Sequence, residues 1–430
     1  MRLPGRLAAA IEVLADIEGR HRPVSEALKS WGLGNRFAGA GDRAAIGNLV
    51  YDALRRRASH AFAMQSEAPR ASVLSVAVRD WGETPDRLNA AFAGDNFAPA
   101  AIADAEAALL LAIDPLVGAP DHVRADVPEW VGPSLAQSCG SNWVAEGQAM
   151  TGRPPLDLRV NTLKATRDRV VKALHRLTPE VTPITALGIR FSAGSGDART
   201  PNVQSDEGYL KGWFEVQDQG SQIVAALAGA RPGEQVLDLC AGAGGKTLAM
   251  AADMQNKGQI FAYDSERPRL APIYDRLKRN GVRNVQVRAP EPGALADLEG
   301  KMDRVLIDAP CTGTGTWRRR PDSKWKLTPE QVALRVGEQH AILAEGLRYV
   351  KPGGVLVYIT CSILSDENDG QIERFIAENP QFAADDPQKL WTAHFPGVSA
   401  PHLSALGLTL TPFTTATDGF FISVLRRARN

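Results

Sequence analysis

The chain has 430 residues, of which 44% are apolar and 23% charged, the composition of folded globular domains and not of a disordered or membrane-embedded chain. Its 49 basic and 49 acidic residues cancel, which argues against a binder held to nucleic acid by net charge alone. The length exceeds one ordinary core and predicts two or three domains, and no apolar run reaches the roughly 18 residues that cross a bilayer.

At the start of the chain, arginines precede apolar residues as in a signal peptide, but Glu12, Asp16 and Glu18 interrupt the run, so an amphipathic helix is the better reading. Leu7, Ile11, Leu14 and Ala15 fall on one helical face. With no targeting segment read, a cytoplasmic protein is expected. Residues 1 to about 145 read as wholly helical. Asp42 is the predicted N-cap of a helix that turns Ile46, Leu49, Val50, Ala53 and Leu54 inward. Arg55, Arg56 and Arg57 then occupy its last turn, where cations suit the helix dipole, with RNA contact as the alternative use of that run. Alanine-rich helices are predicted from about 98 to 113.

The pattern changes at Arg153-Pro154-Pro155. Residues 156–163 alternate like a strand, a helix follows over about 166–176, and strand-like pieces continue to Val216. A small α+β module is predicted over 150–216. Within it Arg153, Arg159, Lys164, Arg167, Arg169 and Lys172 face only Asp157 and Asp168, a local basic bias.

From about 217 strands and helices alternate. Strands are expected over 235–239, 259–263 (ending in Asp264), 285–288, 303–308 and 355–360, with helices over about 267–279 and 328–349. Lys351-Pro352-Gly353-Gly354 reads as a turn, and 408–412 with 419–426 as a final antiparallel hairpin. This alternation predicts a parallel sheet covered on both faces, with ligands beyond the carboxyl ends of its strands. The four cysteines, Cys139, Cys240, Cys311 and Cys361, form no CxxC pair. Neither a structural metal nor a disulfide framework is therefore expected, and Cys139 reads as a small buried hydrophobe.

Three motifs carry chemistry. LDLCAGAGGKT (237–247) sits at a strand-to-helix turn. Gly245-Lys246-Thr247 fits the end of a phosphate loop, but Cys240 stands where its leading glycine belongs. Gly242 and Gly244 fit a dinucleotide loop, but Thr247 stands at its third glycine. The remaining common use of such a turn is S-adenosylmethionine, with Asp264 closing the next strand on the ribose hydroxyls. DAPCTGTG (308–315) and TCS (360–362) end two later strands. If those strands are neighbours, about 5 Å apart, Cys311 and Cys361 open into one crevice beside Asp308. Methylation of ring carbon 5 of a pyrimidine gives such a site a reason for a cysteine. A thiolate adding to carbon 6 makes the poorly nucleophilic carbon 5 enamine-like, and a carboxyl such as Asp308 can serve the ring nitrogen as addition occurs. The residues alone do not rank the two cysteines.

Residues 212–425 resemble the Sun-type RNA cytosine-5 methyltransferases. The resemblance is carried by Gly212-Trp213-Phe214-Glu215-Val216-Gln217-Asp218 with Ser221-Gln222, by LDLCAGAGGKT, by DAPCTGTG followed by RRRPDSKW (318–325), by YITCSILSDEN (358–368) and by DGFF (418–421). It implies a Rossmann-like S-adenosylmethionine methyltransferase domain over 217–430, in which Cys361 bonds to cytosine and Cys311 helps release the product. It implies cofactor contacts from Cys240, Ala241, Gly242, Ala243, Gly244, Gly245 and Lys246, and from Asp264 and Asp308. RAAIGNLVYDALRRR (43–57) resembles the NusB-like helical domain of the family's small-subunit ribosomal RNA members, and LRVNTLKATRDRV (158–170) resembles their RNA-binding linker. The expected partner is therefore RNA, with 16S ribosomal RNA ahead of transfer RNA, and the expected state is a monomer without metal or membrane. Two departures stand out. Gly242-Ala243 replaces the family's Ala-Pro, and Arg288-Ala289-Pro290, with Glu291 the nearest acid, replaces its acidic residue near the adenine, so no adenine contact is assigned. Arg318, Arg319, Arg320, Lys324 and Lys326, with Trp317 and Trp325 between them, suit RNA phosphates and bases, a solvated charged loop being the alternative. Two competing readings are a catalytically idle RNA-binding assembly factor on the same fold and a nucleotidase using Gly245-Lys246-Thr247.

Overall fold

The computed structural model describes residues 1–429. The first 150 residues are helical. In the leading helix, Leu3–Arg20, the buried stripe is Leu7, Ala10, Val13, Leu14 and Ile17, and Ala15 lies on the exposed side. The helix expected to begin at Asp42 begins earlier, at Ala40, with Gly39 as N-cap. Asp42 sits one turn in and accepts the Gly39 amide at 3.2 Å, a carboxylate at the positive end of the helix dipole. Its predicted inward residues are all buried. Between 98 and 113 the helix is short, Asp104–Leu110.

The small module is a four-stranded antiparallel sheet in the order β2-β3-β1-β4, from β1 (Leu156–Val160), β2 (Glu180–Val181), β3 (Gly188–Phe191) and β4 (Phe214–Val216). The large sheet contains β5 (Gln235–Asp238), β6 (Gln259–Tyr263), β7 (Val285–Arg288), β8 (Met302–Asp308), β9 (Val350–Thr360), β10 (Phe382–Ala384), β11 (His402–Leu403), β12 (Leu408–Leu410) and β13 (Phe420–Arg427). Its order is β11-β12-β13-β9-β8-β5-β6-β7, with β10 also on β13. β9-β8-β5-β6-β7 are parallel, and the predicted C-terminal hairpin adds antiparallel strands to β9. The turn expected at Lys351–Gly354 is instead taken into β9. The pairing with β8 shifts register there, and Gly353 takes φ 75°, so the extra residues bulge without ending the strand.

The three parts share cores. Trp317, Ile363 and Leu364, from the loops beyond β8 and β9, pack with Val127, Val131, Leu135 and Met150 of the helical part. Trp325 reaches across to the first helical core and donates its indole N–H to the Leu54 carbonyl at 2.7 Å. This corrects the expectation of RNA contact at 317–326. Trp317, Arg318 and Lys324 are buried. Arg318 and Arg319 form ion pairs with Asp218 and Asp418, Lys324 donates to the Arg55 carbonyl at 2.9 Å, and Lys326 donates to the Arg22 carbonyl at 2.8 Å. Of the five basic residues Arg320 alone is largely exposed. The Arg55–Arg57 run also has partners within the protein. Arg55 bonds Asp52 and the Arg318 carbonyl, Arg56 pairs with Asp80, and Arg57 lies 3.5 Å from Glu18. Of the pairs formed by this run only Arg55–Asp52 is buried on both sides, where removing one member strands the other at a cost of about 3–5 kcal/mol. Among the described residues no helix is long and apolar enough to cross a membrane.

Candidate active site

From β5 the chain builds outward to β6 and β7 on one side, then returns to place β8 and β9 on the other. The gap beyond the carboxyl ends of β5 and β8 is therefore a topological switch point, where open parallel sheets bind ligands. The Gly-rich turn after β5 lies on one side of it and the loop after β8 on the other.

The turn is set by its glycines. Gly242 and Gly244 have φ 48° and 82°, a region closed to most side chains, and a Cβ on Gly244 would stand 2.6 Å from Ile273. Thus the Gly242-Ala243 departure keeps a tight turn. Asp264 at the end of β6 is buried and takes the amides of Gly242 and Glu266, each at 2.9 Å. Each carboxylate oxygen keeps a second lone pair for a further donor. Lys246, in the first turn of helix Gly245–Asp253, points its ammonium at Asp308 Oδ2, 2.6 Å away. Thr247 donates to Asp238 Oδ2 at 2.6 Å, while Asp238 Oδ1 is buried without a partner. Burial pushes the Asp238 carboxyl up to about 7. Glu291, the nearest acid after β7, is exposed and lies 3.5 Å from Arg267.

On the other side β8 and β9 are neighbours, as the cysteine argument required. Cys311 Sγ and Cys361 Sγ lie 3.3 Å apart. The sulfur–sulfur hydrogen bond, followed by burial, pushes the Cys311 thiol well above the ordinary cysteine range. Cys240 is also pushed well up, by burial and then by Asp238, Asp308 and Asp264, so it stays a thiol and is a poor nucleophile.

The loops carrying the two cysteines are sewn together by backbone. Gly315 N donates to the Cys361 carbonyl at 3.0 Å, and Gly419 N donates to the Gly315 carbonyl at 2.8 Å. A Cβ on Gly315 would stand 2.2 Å from the Gly419 carbonyl oxygen, which is why these two motifs meet at glycines. Thr314 Oγ1 accepts the Ile363 amide at 2.9 Å, and Asn368 holds Thr360 and the Ser362 carbonyl. Glu367, fully buried, accepts the Thr312 amide at 2.8 Å and the Gln339 amide at 2.9 Å. Glu367, Asn368 and Gln339 were missed as site residues from sequence. The visible signal was an acid and an amide six and seven residues after Cys361, inside a motif already singled out.

Residues 225–426 match the family described as 16S rRNA methyltransferase RsmB/F, and residues 127–193 match its ferredoxin-like domain. A probable ribosomal RNA small subunit methyltransferase B from Synechocystis sp. is 33% identical over 310 residues, covering 70% of this chain and 67% of its own length. The chain belongs to the RsmB/F methyltransferase family. The ribosomal RNA small subunit methyltransferase B of Klebsiella pneumoniae is 33% identical over 311 residues, 70% of this chain and 66% of the relative. These alignments span about two thirds of the curated relatives. Among solved structures, a methyltransferase homolog protein from Pyrococcus horikoshii is 28% identical and covers 71% of this chain and 97% of its own, with TM-score 0.58. The crystal structure of PH0851 shares the fold over 99% of this chain and 100% of its own, with TM-score 0.72 at 23% identity.

RsmB/F-family methyltransferases take their methyl group from S-adenosylmethionine. The chemistry at the switch point of this chain fits that group. A buried carboxylate at the end of β6 faces the Gly-rich turn, an unpartnered carboxyl oxygen lies beneath that turn, and the phosphate-binding use of Lys246 is disfavoured by its pairing with Asp308.

Proposed function

We propose that this chain methylates carbon 5 of a cytosine in RNA, with small-subunit ribosomal RNA as the substrate, through a covalent bond from Cys361 to carbon 6. The observation that carries the proposal is the pair of sulfurs 3.3 Å apart at the ends of adjacent parallel strands. Methylating an oxygen or an exocyclic nitrogen needs positioning and a base, but no such pair. S-adenosylmethionine supplies an electrophilic methyl group. The chain's residues hold it and prepare the base. Asp264 takes the ribose hydroxyls, residues 240–246 line the cofactor, and Asp308, oriented by Lys246, faces the cytosine ring. Cys311 enters as a thiol that donates its proton toward the Cys361 sulfur and stabilises the thiolate there. The Cys361 proton leaves to solvent, the thiolate adds to carbon 6, and carbon 5 takes the methyl group as S-adenosylhomocysteine leaves. Cys311, its own proton given to solvent, then takes the carbon 5 proton, and the carbon–sulfur bond breaks with its electron pair returning to the Cys361 sulfur. The divisions at 1–145, 150–216 and 217–430 then give RNA gripping to the first two parts and chemistry to the third.

The test is tritium release from RNA carrying tritium at cytosine carbon 5. The wild-type chain with S-adenosylmethionine releases tritium in step with methylation. No release, with cofactor binding intact, would leave the idle assembly factor as the better reading. Cofactor placement is checked separately. Hydrogen bonds to a charged group contribute about 1.5–3 kcal/mol, so Asp264→Ala weakens S-adenosylhomocysteine binding by about 10- to 150-fold in calorimetry. Unchanged affinity would remove Asp264 from the site.

A further inference from the structure

Apart from the cysteine pair, three side chains of different chemistry meet where the helical part touches the outer edge of the large sheet. Cys139 ends the helix Gly132–Cys139, Glu146 lies in the helix Trp143–Ala149, and His402 is on β11. One donor atom from each, a sulfur, a carboxylate oxygen and a ring nitrogen, all lie within 4.8 Å of one another. Cys139 is 5% exposed and Glu146 0%, and the His402 side chain is 21% exposed. His402 Nε2 stands 2.5 Å from Glu146 Oε1. The other oxygen of that carboxylate, Oε2, is buried and has no hydrogen-bond partner.

As a bare hydrogen-bonded pair this arrangement is poorly satisfied. A carboxylate withdrawn from water normally has both oxygens engaged, because an unmade bond there forfeits solvation without return. A cation resolves the deficit. Thiolate, imidazole and carboxylate together are a zinc donor set, whereas calcium and magnesium select oxygen alone. Tetrahedral zinc needs its ligand atoms about 3.3–3.8 Å apart, given bonds of 2.0–2.3 Å, so the three side chains need small rotamer adjustments. A thiolate and a carboxylate also cancel a dication, leaving no net charge in the buried site.

We propose that Cys139, Glu146 and His402 bind a Zn²⁺ ion, with water in the fourth position, that ties the helices before the small module to β11. The Cys139 proton leaves to solvent as the sulfur–zinc bond forms. β11 is a two-residue strand at the sheet edge, and Glu146 and His402 are 256 residues apart in sequence. The ion therefore closes a long loop and acts on stability and on the seating of the helices, away from the methyl-transfer chemistry.

The experiment uses the full chain, stripped with a chelator and titrated with Co²⁺, then with Zn²⁺. The proposal expects about one Co²⁺ per chain, a thiolate-to-cobalt charge-transfer absorption, loss of that absorption on adding Zn²⁺, and a higher thermal unfolding midpoint with Zn²⁺. Cys139→Ala loses the absorption. His402→Gln, which keeps an N–H for Glu146, weakens Co²⁺ binding by at least about 10-fold. The double variant Cys311→Ala/Cys361→Ala keeps the absorption. No charge-transfer band in the wild-type chain overturns the proposal. So does a band that survives Cys139→Ala and disappears with the active-site cysteines, since the metal then sits on the other pair. If Cys139→Ala does not fold, His402→Gln and the double variant still decide between these outcomes.

Discussion

Cys361→Ala lowers methyl transfer by at least about 10⁴-fold, because deleting the nucleophile of a covalent mechanism leaves only binding and positioning. The same variant forms no RNA adduct that survives denaturing electrophoresis. The size of the effect follows from the reaction. Without sulfur on carbon 6 the ring has no enamine character, so bringing the methyl donor and cytosine together does little by itself. Cys361 directly follows β9 and is only partly buried, so the substitution leaves the sheet intact and S-adenosylhomocysteine affinity near wild type. Retained methylation in Cys361→Ala would move the nucleophile elsewhere.

Cys311→Ala has the opposite signature. RNA stays attached to Cys361, and the protein–RNA complex accumulates as a slow band on a denaturing gel while turnover falls by about 10²-fold or more, the range for loss of a proton-transfer group. The reason is the change in what Cys311 faces during the cycle. Before attack it is held as a thiol, first by its hydrogen bond to Cys361 and then by burial. Once Cys361 is a thioether, the penalty against a second thiolate 3.3 Å away is gone, so Cys311 gives its own proton to solvent and, as the thiolate, takes the carbon 5 proton that must leave before the carbon–sulfur bond breaks. Alanine cannot do this, so addition and methylation proceed and release stalls. If Cys311→Ala abolished the adduct and Cys361→Ala trapped it, the two roles would be exchanged.

Much of the fold was legible in the sequence because its signals are local. The β5, β6 and β8 strands stand close to their expected positions because a strand buried on both faces reads as a mostly apolar run, while the edge strand β7 was legible from its apolar–polar alternation, with Gln286 exposed. The Gly-rich turn was legible because positive φ restricts residue choice. Less local features were misread. Lys351-Pro352-Gly353-Gly354 carries a turn composition, yet its flanking residues Val350 and Val355 both pair with β8, and Val355 also with β13, so the segment bulges within β9. The N-cap was placed at Asp42 because aspartate suits that position, but its carboxylate reaches back to Gly39 from inside the helix.

The charged residues mark the deeper limit. Arg318, Arg319, Lys324 and Lys326 read as an RNA-facing cluster because sequence shows their sign and not their surroundings. Their partners, Asp218, Asp418 and the carbonyls of Arg55 and Arg22, lie 99 to 304 residues away. Glu367 was passed over for the same reason, as were Glu146 and His402, which meet across 256 residues. By itself the sequence determined the order of strands and helices, the turn chemistry at 240–246 and two cysteines at strand ends, all encoded in spacing and residue type along the chain. Only the tertiary structure decided that β8 and β9 are neighbours, that the two sulfurs touch, and that the basic segment after Cys311 is a buried tie between domains, because burial and charge pairing depend on residues far apart in sequence.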